Sequence, residues 1–327
     1  MAAKTLPLPR PGERLLFIRF SSLGDVLLSM RQAKALKDRF PFLEITWMAH
    51  SEYEPILRMQ PYVDDVLPWD IRKGRGTILS AIGKIRRSGF RWLYSVHRND
   101  RSALVSAFSG IPFRIGGHKN LQFLYDFSLK EVKKEWDIKP VPEEGKFLFV
   151  PEEKKVEILD MLGGKGRPVL FCAIGASKRF KRWPAWSWSV FLDEAVSMGL
   201  QPVLLGSGRE EVDLAGEILL SCSCNHEIVD MVDKLTLDQV CSLAAVSVMA
   251  LGGDTGPVHM ARLAGIPCIG LFTVRDPARY GHRGGNLVPI ICDSPYVSYP
   301  EEPPLFQPLG TITPSRVILE LQKILSK

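Results

Sequence analysis

No apolar run in the chain approaches the roughly 20 residues needed to span a bilayer, and residues 1–14, beginning at Met1, lack the apolar centre of a secretion signal. A soluble cytoplasmic protein is the expectation. Cysteine is sparse: Cys172, Cys222, Cys224, Cys241, Cys268 and Cys292 sit mostly inside apolar runs, which excludes a disulfide framework. Cys222 and Cys224 are too close for a common zinc pair, no second pair stands at metal spacing, and no metal site is expected. The Gly-x-Gly-x-x-Gly fingerprint is missing after the first strand and no Walker sequence ends in Gly-Lys-Ser/Thr, which weakens a dehydrogenase and a P-loop enzyme alike. Asp-x-Asp is also absent, so a metal-bridged diphosphate is not indicated.

What is present is bulk and alternation. With 327 residues, 46% of them hydrophobic, the chain can bury substantial cores, and its length suggests two domains. The net charge of +6 is placed unevenly. Arg72, Lys73, Arg75, Lys84, Arg86, Arg87, Arg91, Arg98 and Arg101 face only Asp100 within residues 72–101, which biases the first half toward an anionic partner. A solvated basic face is the plain alternative. No nucleic-acid partner is expected, because no recognition-helix, zinc-finger or aromatic RNA-binding signature accompanies the charge.

Short apolar runs at 14–20, 43–49, 63–67, 92–96 and 113–115 read as strands, with helical periodicity from 26 to 40 and at 54–59, 77–87 and 101–109. A charged, proline-bearing segment, 130–151, with Pro140, Pro142, Glu143 and Glu144, reads as the linker. The pattern then restarts, with strands at 169–174, 202–205, 227–229, 246–251 and 268–272 and helices at 186–198, 210–220, 237–244 and 314–325. The fold class is therefore α/β. Two doubly wound Rossmann-like domains, 1–150 and 151–313, are expected to face a central cleft, with ligands beyond the carboxyl ends of the strands.

Four loops at such strand ends carry the polar residues. Gly253-Asp254-Thr255-Gly256-Pro257-Val258-His259 breaks two apolar runs, and Pro257 suits the first helical position, with Asp254 or Thr255 as cap. The helix N-terminus then offers an anion site, unless the segment is only a strand-to-helix turn. Lys178, Arg179, Lys181 and Arg182 precede a helix that Pro184 can open, where a cation can stand over a diphosphate or simply be solvated. Glu210 and Glu211 follow a tight Gly-Ser-Gly turn, as ribose acceptors or as acids favouring a helix N-terminus. Asp25 stands at the start of the first helix, as a general base or as a cap.

Taken together, these motifs resemble the ADP-heptose:lipopolysaccharide heptosyltransferase family. The match runs from Arg19-Phe20-Ser21-Ser22-Leu23-Gly24-Asp25 through Lys181-Arg182-Trp183-Pro184 and Ile228-Val229-Asp230 to the Asp254 turn and Leu271-Phe272-Thr273-Val274-Arg275-Asp276-Pro277. The resemblance implies a GT-B glycosyltransferase, inverting and metal-independent, that moves heptose from ADP-L-glycero-D-manno-heptose to a sugar of the lipopolysaccharide core. It implies no cofactor beyond the ADP-sugar, an anionic lipid-linked acceptor, peripheral work at the inner face of the cytoplasmic membrane, and helix 314–325 packing back on the first domain. By position, Asp25 is the catalytic base, Lys181 contacts the donor phosphates, Thr255 and Gly256 bind the diphosphate, and Asp254 holds the donor sugar. Glu211 holds the ribose, with Glu210 left open, and His259 orders the phosphate loop or packs as a helix histidine. The family's acidic residue and glutamine after the fourth strand are replaced here by His97-Arg98-Asn99-Asp100. His97, Arg98 and Arg101 are therefore candidates for the phosphate or carboxylate groups of a different acceptor. A transferase using another nucleotide sugar, or a non-catalytic nucleotide-sugar-binding module, are the alternatives.

Overall fold

The computed structural model describes residues 6–70, 74, 76–139, 142, 145–163, 166–301 and 306–326. Met1, Arg72, Lys73 and Arg75, and Pro140, Glu143 and Glu144 of the expected linker, lie outside the described residues. The chain divides into two compact units, Met1–Pro142 and Glu143–Lys327. The division falls before residue 150, because Phe147 and Leu148 donate their backbone amides to Leu263 O at 2.7 and 2.9 Å. No helix among the described residues is long and apolar enough to cross a membrane.

In the first unit, β1 (Arg14–Ile18), α1 (Leu23–Arg39), β2 (Glu44–Ala49), α2 (Glu54–Arg58), β3 (Asp65–Pro68), α3 (Gly76–Arg87), β4 (Trp92–Ser95), α4 (Asp100–Phe108), β5 (Phe113–Ile115) and α5 (Leu129–Glu135) follow in turn. The strands form one parallel sheet in the order β3-β2-β1-β4-β5. β1 and β4 are buried along nearly their whole length, as strands covered on both faces must be. The expected linker begins inside this unit. α5 opens with a Ser128–Glu131 capping box and turns Val132 and Trp136, four residues apart, into the core. The Trp136 ring meets Phe40 and Trp92 edge-on at 5.4 and 5.1 Å, and its indole donates to Pro7 O at 3.0 Å. Charged residues on the outer face of this short helix give its sequence the look of a linker.

The second unit runs α6 (Glu152–Met161), β6 (Val169–Ala173), α7 (Ala185–Ser197), β7 (Gln201–Leu205), α8 (Arg209–Ser221), β8 (Val229–Asp230), α9 (Leu237–Val246), β9 (Met249–Gly253), α10 (Gly256–Leu263), β10 (Cys268–Val274), β11 (Leu287–Tyr296) and α11 (Pro314–Leu325). Its parallel sheet has the order β11-β10-β9-β6-β7-β8. α9 extends to Val246, so the strand before the Asp254 turn starts later than its apolar run. In helix 314–325, Val317 and Leu321 are buried in one cluster with Trp183, Trp188 and Ile312. The Trp183 indole locks the approach to α11 by donating to Ile312 O at 2.9 Å. All six cysteines are unpaired and belong to this unit, five of them buried. Burial pushes the Cys224 thiol up to about 12, and its hydrogen bond to Asp193 adds to the shift.

Each sheet changes direction once. In the first unit this happens at β1 and β4, and in the second at β6 and β9. The loops leaving those four strands are where an open α/β sheet holds its ligands. They carry Asp25, His97, the 175–182 segment and the Asp254 turn.

Candidate functional site

The Asp254 turn depends on two glycines without side chains. A Cβ on Gly252 would stand 2.8 Å from Ala173 O, and one on Gly253 would stand 2.8 Å from Lys181 O. Their absence lets the 181 backbone pass against β9, which sets Lys181 beside Asp254. Thr255 is the N-cap of α10 by backbone conformation, Gly256 is its first residue, and Pro257 takes the second position. Neither Asp254 nor Thr255 caps with its side chain, contrary to expectation. Thr255 Oγ1 is buried with no hydrogen-bond partner among the described residues, next to the first-turn amides that a helix leaves unpaired. An anion is the natural complement of that pair of features.

The Asp254 side chain is engaged on both oxygens. Oδ2 accepts from Lys181 Nζ at 2.9 Å and from the Tyr299 hydroxyl at 2.7 Å, while Oδ1 lies 2.5 Å from His282 Nε2. His259, on α10, stacks on His282 with ring centroids 4.2 Å apart and brings its Nε2 within 3.9 Å of Oδ1. Burial by itself pushes the Asp254 carboxyl up. The hydrogen bond and charge of His282, with Lys181 and the Tyr299 hydroxyl, outweigh burial and hold it well below the usual carboxylate range. Asp254, His259 and His282 also place one ligand-type atom each within 4.8 Å of one another. Among the described residues His282 Nδ1 is buried without the hydrogen-bond acceptor that steadies a typical metal-bound imidazole, and Lys181 already occupies the carboxylate. His282 and Tyr299 escaped the sequence reading, since they stand in irregular segments with no motif around them.

Glu210 and Glu211 part company. Glu211 is buried and folds back to accept from Ser207 N at 2.7 Å. A Cβ on Gly175 would overlap its carboxylate, and one on Gly206 would come within 2.6 Å. Glu210 is exposed and pairs with Arg182 at 2.6 Å. Arg182 is thereby committed, its Nε also donating to Ala176 O at 2.9 Å, whereas Lys178 and Arg179 point to solvent. Of the four basic residues in this loop, the structure brings Lys181 to Asp254.

In the first unit, Asp25 is the third residue of α1 and closes a capping box with Ser22. Its Oδ2 accepts from Ser22 Oγ at 3.1 Å and pairs with Arg19 Nη2 at 2.5 Å. Arg19 in turn donates to Val96 O at 3.1 Å, at the end of β4. His97 is buried, and its Nδ1 accepts from Phe20 N at 3.3 Å. Desolvation, then the neighbouring charges of Arg19 and Arg101 against that of Asp25, lower the His97 pKa to about 4. His97 is therefore a neutral imidazole near pH 7, and with Nδ1 accepting from the Phe20 amide its Nε2 carries the N–H. Arg98 and Arg101 are exposed beside it. Elsewhere in the basic run, Arg86 donates to Phe108 O at 2.9 Å and Arg91 pairs with Glu13 at 3.4 Å, so both serve the fold.

Two doubly wound parallel sheets have the make-up of a GT-B glycosyltransferase, and known proteins agree. Residues 133–296 match the model of Glycosyltransferase family 9 (heptosyltransferase). The chain is 25% identical over 353 residues to Lipopolysaccharide heptosyltransferase 2 of Salmonella typhimurium, covering 96% of this chain and 99% of that protein. Among solved structures it resembles the family 9 glycosyl transferase of Veillonella parvula, with a TM-score of 0.85 at 18% identity, covering 97% of this chain and 98% of that one. It also resembles the E. coli ADP-heptose lps heptosyltransferase II, with a TM-score of 0.78 at 23% identity, covering 95% and 98%. The protein is an enzyme of the glycosyltransferase class. It belongs to glycosyltransferase family 9, the heptosyltransferases.

Proposed function

We propose that this enzyme transfers heptose from ADP-L-glycero-D-manno-heptose to a sugar of the lipopolysaccharide core, with inversion and without a metal or other cofactor. The observation that carries the reading is the pairing of Lys181 with Asp254 directly before a helix terminus whose Thr255 hydroxyl is buried and has no partner among the described residues. Thr255, Gly256 and the α10 amides take the diphosphate, Lys181 neutralises it, His259 orders the phosphate loop, Asp254 holds the sugar, and the buried Glu211 accepts from the ribose. The acceptor hydroxyl gives its proton to Asp25 as its oxygen bonds to the anomeric carbon. The bond from that carbon to the diphosphate breaks on the opposite face, and its electron pair leaves with ADP, stabilised by Lys181 and the helix terminus. A lysine in place of a metal suits this step, because the leaving group needs charge neutralisation rather than a proton.

Arg98, Arg101 and the His97 N–H meet the anionic groups of a lipid-linked acceptor, and the enzyme works peripherally at the inner face of the cytoplasmic membrane. The Salmonella relative is named for lipopolysaccharide and the E. coli neighbour for ADP-heptose, and both names support the choice of substrates. The test is incubation of the full chain with ADP-heptose and truncated lipopolysaccharide, with mass spectrometry of the acceptor. A gain of one heptose, insensitive to chelator and inverted by NMR, is expected. Transfer only from UDP- or GDP-sugars would overturn the donor, and ADP binding without any product would favour a binding module.

A further inference from the structure

Tyr299 touches both partners of the Lys181–Asp254 pair. Its hydroxyl donates to Asp254 Oδ2 at 2.7 Å, and its ring carries the Lys181 ammonium 3.4 Å from the centroid. The ring is itself seated between Tyr280, 4.6 Å away, and Phe180, 6.3 Å away. On the other carboxylate oxygen, His282 has a fully buried side chain, and its loop is pinned where Arg262 Nη1 donates to Gly281 O at 3.0 Å. If Lys181 leaves Asp254 for a diphosphate, each carboxylate oxygen keeps one donor. A buried carboxylate stripped of its only partner would be costly, and this arrangement avoids that cost.

We propose that Tyr299 and His282 are positioning residues of the donor site: they hold Asp254 in place while Lys181 turns to the diphosphate, and the Tyr299 ring is the seat from which Lys181 turns. This rests on the reading of Lys181 and Asp254 as donor ligands. The hydroxyl and the ring of Tyr299 thus have separable roles, the first acting on the sugar end through Asp254 and the second on the phosphate end through Lys181.

The experiment compares the full chain with Tyr299→Phe, Tyr299→Leu, His282→Gln and His282→Ala, using calorimetry of ADP binding, donor KM and kcat, and circular dichroism to confirm folding. Tyr299→Phe is expected to leave ADP affinity within about twofold and to raise donor KM about tenfold with little change in kcat, the effect of one lost hydrogen bond to a charged group. Tyr299→Leu should also weaken ADP about fivefold, because the cation loses its aromatic seat. His282→Gln, which keeps an N–H donor, should recover most of the donor affinity lost in His282→Ala. Equal ADP affinities for the folded Phe and Leu variants, an unchanged donor KM in Tyr299→Phe, or no rescue by Gln would overturn the proposal. A wild-type chain that binds ADP yet transfers no heptose would instead overturn the proposed reaction, and the ADP comparison at Tyr299 would still decide this one.

Discussion

Arg19 holds Asp25 by one oxygen only. The guanidinium and the Ser22 hydroxyl both meet Oδ2, and Oδ1 takes no hydrogen bond among the described residues. A base needs that division: one oxygen fixes the carboxylate while the other stays open to a proton. Asp25→Asn preserves the shape and the cap but removes the basicity. Transfer should fall by about a hundredfold to ten-thousandfold while ADP affinity stays within about twofold. Steady-state rates beside calorimetry check this, and near-normal turnover by the variant would remove Asp25 from the chemistry.

Gly175 leaves the space that the Glu211 carboxylate fills. Gly175→Ala should displace Glu211 and weaken ADP by about tenfold, and the same change in a Glu211→Ala background should cost little more. The expected coupling is about 1–2 kcal/mol in a double-mutant cycle on ADP affinity. Additive losses would mean that Gly175 acts through something other than Glu211.

His97 stays neutral in the fold, with its pKa lowered from 6.5 to about 4. Above about pH 6.5 the imidazole is neutral in both folded and unfolded chains and has no effect on the pH dependence. As pH falls toward 4 the unfolded chain takes up a proton that the folded chain refuses, so stability declines, by about 2 kcal/mol at pH 5. Urea titrations at pH 7.5 and 5.0 should show a smaller pH loss for His97→Gln than for the wild type. Parallel losses in the two proteins would mean that another group carries the acid sensitivity.

Trp136 fastens α5 to the first unit through Phe40, Trp92 and Pro7. Trp136→Ala should destabilise that unit by about 3–5 kcal/mol, the range for a large buried aromatic. A loss below about 1 kcal/mol in denaturant unfolding would return the segment to the status of a tether.

The alternation of apolar runs with turns was enough to read both parallel sheets, because strands covered on two faces are apolar at nearly every position. It failed where burial is one-sided. β11 carries Pro289 and several part-exposed residues at the edge of its sheet, and α6 is mostly charged, so neither stood out. The Asp254 turn was legible because its glycines, threonine and proline lie together in the chain. His282 and Tyr299 reach Asp254 from 28 and 45 residues away, and their contribution arises only from tertiary packing. His97 was visible as a departure from the family pattern, but its neutrality follows from burial and from the charges of Arg19 and Arg101 beside it, which composition does not encode.

The confinement of every cysteine to residues 172–292 gives the molecule a built-in chemical clock. A thiol reagent finds no target in residues 1–142, whether that unit is folded or open. Alkylation of the five buried thiols therefore times the opening of the second unit alone, because these sulfurs are both hidden and poorly ionised until the chain parts around them. A ligand that fills the Asp254 turn should slow that clock, and one held solely by the Asp25 unit should leave it running at its own pace.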